Sequence, residues 1–367
     1  MQLFLYDLPN FIAIILVVFV SYRIKAIPSW LALILGVSAI LPFLINNVLF
    51  PAKYMPDQFK YFDMVQCIRS LDSNCHAYSK TVGNASWFLS FVPLPFVETI
   101  KSLGFYNRFI VTSLIIWLYS KKDLRGMSLF VLIFYPSFLL YSSLSLRDPL
   151  ITCFMLISVI FLIDGKTVKS ILFGVPLFFL KFQNFFLIVL FVFFYLLRKK
   201  SSIIYRFRYF LYAFSILIFI PFMQELIHLL DFYRKAMFVE NGGDISQYTQ
   251  IGDVYGFFLL GLQSAPFFLM KPLPWEANSM LQFIQSLENV VLFLFLVVFF
   301  YKSYKFDKYM TVTWFFYLLI SMTIYGLVVF NYGTAVRYKF PFIICVVVGL
   351  SYDLYKTYGI SLKWRIR

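Results

Sequence analysis

The sequence predicts an all-α polytopic membrane protein, a single integral-membrane domain over residues 1–367 with about eleven transmembrane helices. Composition and the sidedness of charge carry that prediction. Of 367 residues, 61% are hydrophobic and only 13% charged, Phe contributes 48, and mean hydropathy is +0.82. Soluble domains carry about a quarter charged residues. A soluble globular enzyme, a disordered chain and a disulfide-stapled secreted domain are therefore excluded. The net charge is +15, from 32 Lys and Arg against 17 Asp and Glu. In a soluble chain that excess would point to nucleic acid. In a membrane chain it orients the helices, and no nucleic-acid partner is expected.

A span needs roughly 20 mostly apolar residues, because each helical residue rises about 1.5 Å across a core about 30 Å thick. The candidates are about 3–22, 28–49, 105–120, 127–143, 149–164, 183–197, 209–227, 283–301, 310–330 and 340–355. The short stretch 170–181 pairs with 183–197 as a helical hairpin. Segment 254–270 is apolar but contains Gly256, Gly261 and Pro266.

Placing 23–27, 121–126, 164–169, 198–208, 302–309 and 356–367 in the cytoplasm puts 19 of the 32 basic residues there. With Asp353 at the inner end of the last span, only Asp123, Asp164 and Asp307 join them, so the remainder of the chain is neutral. The assignment follows the positive-inside rule and places the C-terminus in the cytoplasm and the N-terminus in the periplasm. Segment 254–270 must then begin and end outside, as a re-entrant or interfacial helix. Two large periplasmic loops result, about 50–104 and 228–282. Neither face has room for a soluble nucleotide-binding domain, and no Walker loop or GxGxxG is present.

The informative charges gather outside. Arg147 and Asp148 occupy a very short link after Ser142-Ser143-Leu144-Ser145 and before Pro149. A turn needs neither charge, so a guanidinium presented to an anionic headgroup and oriented by the carboxylate is the favoured reading over a solvated turn. Asn331 to Lys339 joins the last two spans and sets Arg337 and Lys339 at the headgroup level, where phosphates lie. Basic residues there run against orientation preference, which favours phosphate binding over simple anchoring. Lys271-Pro272-Leu273-Pro274-Trp275-Glu276 is a stiffened turn. Its Trp can stack on a sugar or anchor at the interface, and its Glu can accept a proton. Lys181 stands at the tip of the short hairpin, either buried with a partner or ligand or snorkelling outward. Asp57, Lys60, Tyr61 and Asp63 share a short helix that is either interfacial or lines a sugar site. Cys67 and Cys75 leave a disulfide open, and with His76 they make a poor metal site, so neither metal nor cofactor is expected.

Cations at headgroup height, scattered carboxylates and stacking aromatics fit a polyprenyl diphosphate sugar. Its diphosphate is the leaving group, and Arg and Lys stabilise the developing charge. The ordered set of Asp57 and Tyr61, Pro136-Ser137 before Arg147-Asp148, Lys181, Pro272 to Glu276, and Asn331 to Lys339 resembles the Wzy-type O-antigen and polysaccharide repeat-unit polymerases. The resemblance spans about 50 to 355. It implies an enzyme of the bacterial inner membrane that moves a growing glycan from undecaprenyl diphosphate onto an incoming lipid-linked repeat unit. A flippase and a chain-length regulator are the implied partners. Arg147 and Arg337 match the family's outer-face arginines, with Asp148 and Glu276 beside them in the reaction. Lys339, Lys181, Lys271, Trp275, Asn331, Asp57 and Tyr61 would hold substrate. Lys181 stands where members often carry Arg, keeping the charge without the bidentate fork. Another lipid-diphosphate glycosyltransferase or an O-antigen ligase shares the same donor. A flippase, from another class, expects ionisable groups along a mid-membrane path, and a structural subunit has no use for Arg147 or Arg337.

Overall fold

An apolar run can satisfy its backbone polar groups without water only by pairing them within itself, and the α-helix does this locally. The computed structural model describes residues 2–46, 48–72, 75–199, 203–240 and 242–359. The basic residues of the tail beyond 359, and Lys200, lie outside the described residues. Regular structure among the described residues is helical, and the one extended pairing is an isolated bridge between Asn46 and Phe50. Among the described residues, four helices are long and apolar enough to cross a membrane: Leu5–Arg23, Met280–Phe306, Lys308–Val328 and Tyr332–Tyr358. Large apolar side chains such as Leu33, Phe186, Leu262 and Val291 stand exposed. A surface this apolar needs a covering that water cannot supply.

Each of the eleven expected segments is helical, but several boundaries differ. The run 28–49 breaks into Ser29–Ser38 and Leu41–Ile45, with Pro42 starting the second piece. The run 127–143 breaks at Tyr135, which Pro136 holds extended, giving Met127–Phe134 and Pro136–Tyr141. Helix Arg208–Glu240 continues well past 227. Helix Tyr332–Tyr358 begins before the expected position 340, so the charged motif ahead of that position is helical. The loops 50–104 and 228–282 are themselves built mainly of helix.

The chain forms two compact units, residues 1–188 with 347–367, and residues 189–346. In the first, helix Asp57–Arg69 packs on helix Lys80–Ser90, and a Cys67–Cys75 disulfide closes the link between them. Arg69 fastens this pair: it donates to the carbonyls of Ser90, Val92 and Leu94, and stacks 4.8 Å from the centre of the Tyr106 ring. Asn84 donates to the Phe179 carbonyl at 3.1 Å, tying helix Lys80–Ser90 to the end of helix Thr167–Leu180. In the first helix Asp7 is buried and accepts from Thr99 and Ser102.

A second polar knot lies where helix Ser102–Lys122 ends. Asp164 pairs with Lys122, accepts from the Tyr352 hydroxyl at 2.7 Å and lies 3.7 Å from the Lys356 ammonium. In the second unit, helix Val254–Met270 runs against Lys308–Val328 at close quarters. A Cβ on Gly326 would stand 2.5 Å from the Ser264 carbonyl oxygen, so only glycine permits that approach. Trp314 is fully buried, with Phe191 4.5 Å away between ring centres.

Burial pushes the Asp164 carboxyl up. The hydrogen bonds from Lys122 and Tyr352 and the charges of Lys122 and Lys356 outweigh it and hold the group below its ordinary value. A lowered folded-state value means stabilisation that is complete above the unfolded-chain value, about 4, and lost as pH falls through the folded one. Thermal unfolding of detergent-purified wild type and Asp164→Asn should therefore differ fully at pH 7. The gap should shrink as the pH drops below about 4; a gap independent of pH would contradict the pairing.

Candidate functional site

The candidate residues fall on both units, one group in each. In the first unit, helix Pro136–Tyr141 ends and residues 142–147 turn into helix Asp148–Ile163. Every step of that turn is held. Asn107 donates to the carbonyls of Leu144 at 2.6 Å and Leu146 at 2.7 Å. Arg108 donates to Ser142 Oγ at 2.7 Å and Ser38 Oγ at 2.6 Å. The Ser145 amide donates to Gln58 Oε1 at 3.1 Å, while Gln58 and Asn46 pair amide to amide. Ser145 Oγ donates to the Ile100 carbonyl. A Cβ on Gly104 would lie 2.5 Å from the Ser143 carbonyl oxygen, so helix Ser102–Lys122 touches the turn directly.

Arg147 emerges from this scaffold half-buried. Its Nε and Nη1 are buried and have no hydrogen-bond partner among the described residues. A buried guanidinium with unused donors is costly, and it is ready for an oxyanion that would fill them. Asp148 is buried at the first helical position. Lys181 follows helix Thr167–Leu180 and is 8% exposed, so it does not snorkel outward. Asp57 stays exposed and pairs with Lys60 at 3.1 Å. Tyr61, one turn further, is buried in the packing of its helix.

In the second unit, Lys271 to Glu276 forms a compact turn ending in the short helix Pro274–Glu276. Glu276 accepts the Leu273 amide at 3.0 Å and pairs with Lys271 at 3.0 Å. The amide, and then the ammonium, hold its carboxyl below the usual range. That makes Glu276 a weak base and gives its carboxylate a use in shaping the turn and steering Lys271. Trp275 is 80% exposed, open to stack on a sugar face.

Lys339 departs from the headgroup placement. Because the helix starts at Tyr332, Arg337 and Lys339 are two helical residues apart and point about 200° away from each other around the axis. Lys339 is buried, donating to the Leu269 carbonyl at 3.0 Å and to Asn289 Oδ1 at 2.5 Å. Asn289 in turn donates to the Lys271 carbonyl at 2.9 Å. Lys339 thus braces the turn that carries Lys271, Trp275 and Glu276. Asn331 is likewise occupied: its Oδ1 accepts from the Gly333 and Thr334 amides and caps the helix. Arg337 lies half-buried on the other side of the helix.

Sequence reasoning passed over Asn107, Arg108, Gln58 and Asn289. Arg108 had a signal, being a charge inside the apolar run 105–120. The others are amides whose partners lie far along the chain, and no local pattern marks them.

Replacing Lys339 by Met should leave Asn289 Oδ1 without its cation and destabilise the protein by about 1–3 kcal/mol. Differential scanning fluorimetry in detergent should show a lowered Tm for Lys339→Met and little change for Trp275→Ala. Equal Tm values would contradict the bracing role. Compared with known proteins, the chain matches no family model, and no curated protein or solved structure is significantly similar to it.

Proposed function

We propose that the chain is a membrane glycosyltransferase that polymerises undecaprenyl-diphosphate-linked oligosaccharide repeat units into O-antigen or a related surface polysaccharide. It works on the periplasmic face of a bacterial inner membrane, threaded by about eleven helices with the N-terminus outside and the C-terminus inside. The observation that carries this reading is Arg147, a guanidinium on a rigid turn with two buried nitrogens lacking a hydrogen-bond partner among the described residues. Such donors match the oxygens of a lipid-linked diphosphate.

In the reaction, the bond between the anomeric carbon of the growing glycan and the diphosphate oxygen breaks. A hydroxyl of the incoming repeat unit forms the new glycosidic bond, its proton passes to a base, and undecaprenyl diphosphate leaves. Arg147 stabilises the charge that develops on the departing diphosphate, and Arg337 is a second cation for the anionic lipid-linked substrates. Trp275 supports the saccharide by stacking, and Lys271, steered by Glu276, adds a cation. The lowered Glu276 carboxyl disfavours it as the base. An O-antigen ligase would use the same donor chemistry. The flippase reading gains little from Arg108 and Lys339, which are each fixed by hydrogen bonds to neighbouring helices and turns rather than arrayed along a path.

In a strain lacking the gene, complementation by Arg147→Ala or Arg337→Ala should leave the protein in the membrane fraction and give lipopolysaccharide bearing single repeat units. Full-length ladders from both variants would overturn the residue assignment. Free glycan ladders never joined to lipid A in the deletion strain would favour the ligase.

A further inference from the structure

Arg147 owes its placement to groups on two other elements. The turn before it has no regular secondary structure, yet each residue from Ser142 to Leu146 is held from outside the turn or is in close contact with it. The strongest hold is Asn107. Its one amide group spans two carbonyls, including that of Leu146, the residue bonded to Arg147. Asn107 and Arg108 are both fully buried within helix Ser102–Lys122, a costly burial that is only partly offset: Asn107 Oδ1 and Arg108 Nε find no partner among the described residues, and the bonds the two side chains do make go to this turn and to Ser38. Helix packing alone would be served as well by apolar side chains. Gln58 completes the hold from helix Asp57–Arg69, receiving the Ser145 amide.

We propose that Asn107 is a positioning residue for oxyanion recognition: it fixes the Leu146 carbonyl, and through it the backbone of Arg147, so that the guanidinium meets the lipid-linked diphosphate already oriented. Gln58 acts in the same way from helix Asp57–Arg69. The proposal rests on the reading of Arg147 as the diphosphate ligand. Preorganisation of this kind raises affinity by removing the ordering cost at the moment of binding. It also predicts a pattern that general destabilisation does not produce: loss of Asn107 should matter only while Arg147 is present.

The test uses full-length protein purified in detergent, with undecaprenyl diphosphate as probe and undecaprenol as its uncharged control. Binding is read by tryptophan fluorescence, beside Tm for each variant. Wild type should prefer the diphosphate, Arg147→Ala should lose that preference, and Asn107→Leu, which has similar volume and no donor, should weaken diphosphate binding about tenfold, the scale of one charge-assisted hydrogen bond. The double variant should bind no worse than Arg147→Ala alone. If Asn107→Leu is not recovered folded, Gln58→Met carries the same expectation. A wild type that binds both lipids equally sinks the diphosphate reading itself. Loss of preference in Arg147→Ala with wild-type binding in Asn107→Leu, or in Gln58→Met where that variant stands in, overturns the positioning role alone. Additive losses in the double variant overturn it as well.

Discussion

A cation buried in an apolar protein must be supplied with acceptors by the chain itself, because lipid and packed side chains offer none. Here those acceptors are the polar groups at helix breaks. Arg108 grips Ser142 and Ser38 beside the broken helices near 38–41 and 135–142. Lys339 grips the Leu269 carbonyl where helix Val254–Met270 ends. Arg69 collects the carbonyl of Ser90, the last residue of helix Lys80–Ser90, and those of Val92 and Leu94 in the irregular segment after it. Arg69 and Lys339 engage backbone carbonyls at or beyond helix ends and Arg108 engages two serine hydroxyls, and those acceptors in turn occupy the cations. Each pairing fastens a break in one helix to the flank of another, so an all-helical chain can hold rigid turns at fixed places.

Arg147 stands apart from these. It grows out of one of the braced turns but retains buried donors that the described protein does not use. Arg69 and Lys339 spend their donors on backbone and side-chain acceptors, and Arg108 leaves only its Nε without a partner among the described residues, whereas Arg147 leaves both Nε and Nη1 so; that surplus of donors on a clamped platform is what suits Arg147 to a ligand rather than to a brace. The two basic residues of the last long helix stand on different faces of it. Lys339 is consumed by Leu269 and Asn289, and the helical twist turns Arg337 away from it. In the reaction proposed, the protein contributes fixed positive charge at the diphosphate and little chemistry elsewhere, in keeping with a donor that carries its own leaving group.

The positions of the helices were legible in the sequence because a run of about 20 apolar residues has few alternatives. Their ends were less so. Hydropathy reads Arg337 and Lys339 as loop, yet neither residue opposes a helix, and a buried partner such as Asn289 makes the extra turns affordable. Pro42 and Pro136 broke apolar runs that composition alone joined. At the site, Arg147 was legible as a charge with no topological duty. Asn107 was hidden among apolar neighbours, and its partners Leu144 and Leu146 lie 37 and 39 residues away. Glu276 was legible as a carboxylate but not as one already engaged by Leu273 and Lys271. Side-chain type travels in the sequence; occupancy of that side chain by a distant partner does not.

The central claim is that this chain by itself joins lipid-diphosphate-linked repeat units. Its most direct measurement is reconstitution of the purified protein in liposomes with the lipid-linked repeat unit extracted from its own polymerase-deficient strain, with no nucleotide sugar added, and the products resolved by gel electrophoresis. The account predicts a ladder of lengthening glycans with release of undecaprenyl diphosphate. Repeat units that remain single while the Arg147-containing protein is folded and membrane-inserted would contradict it.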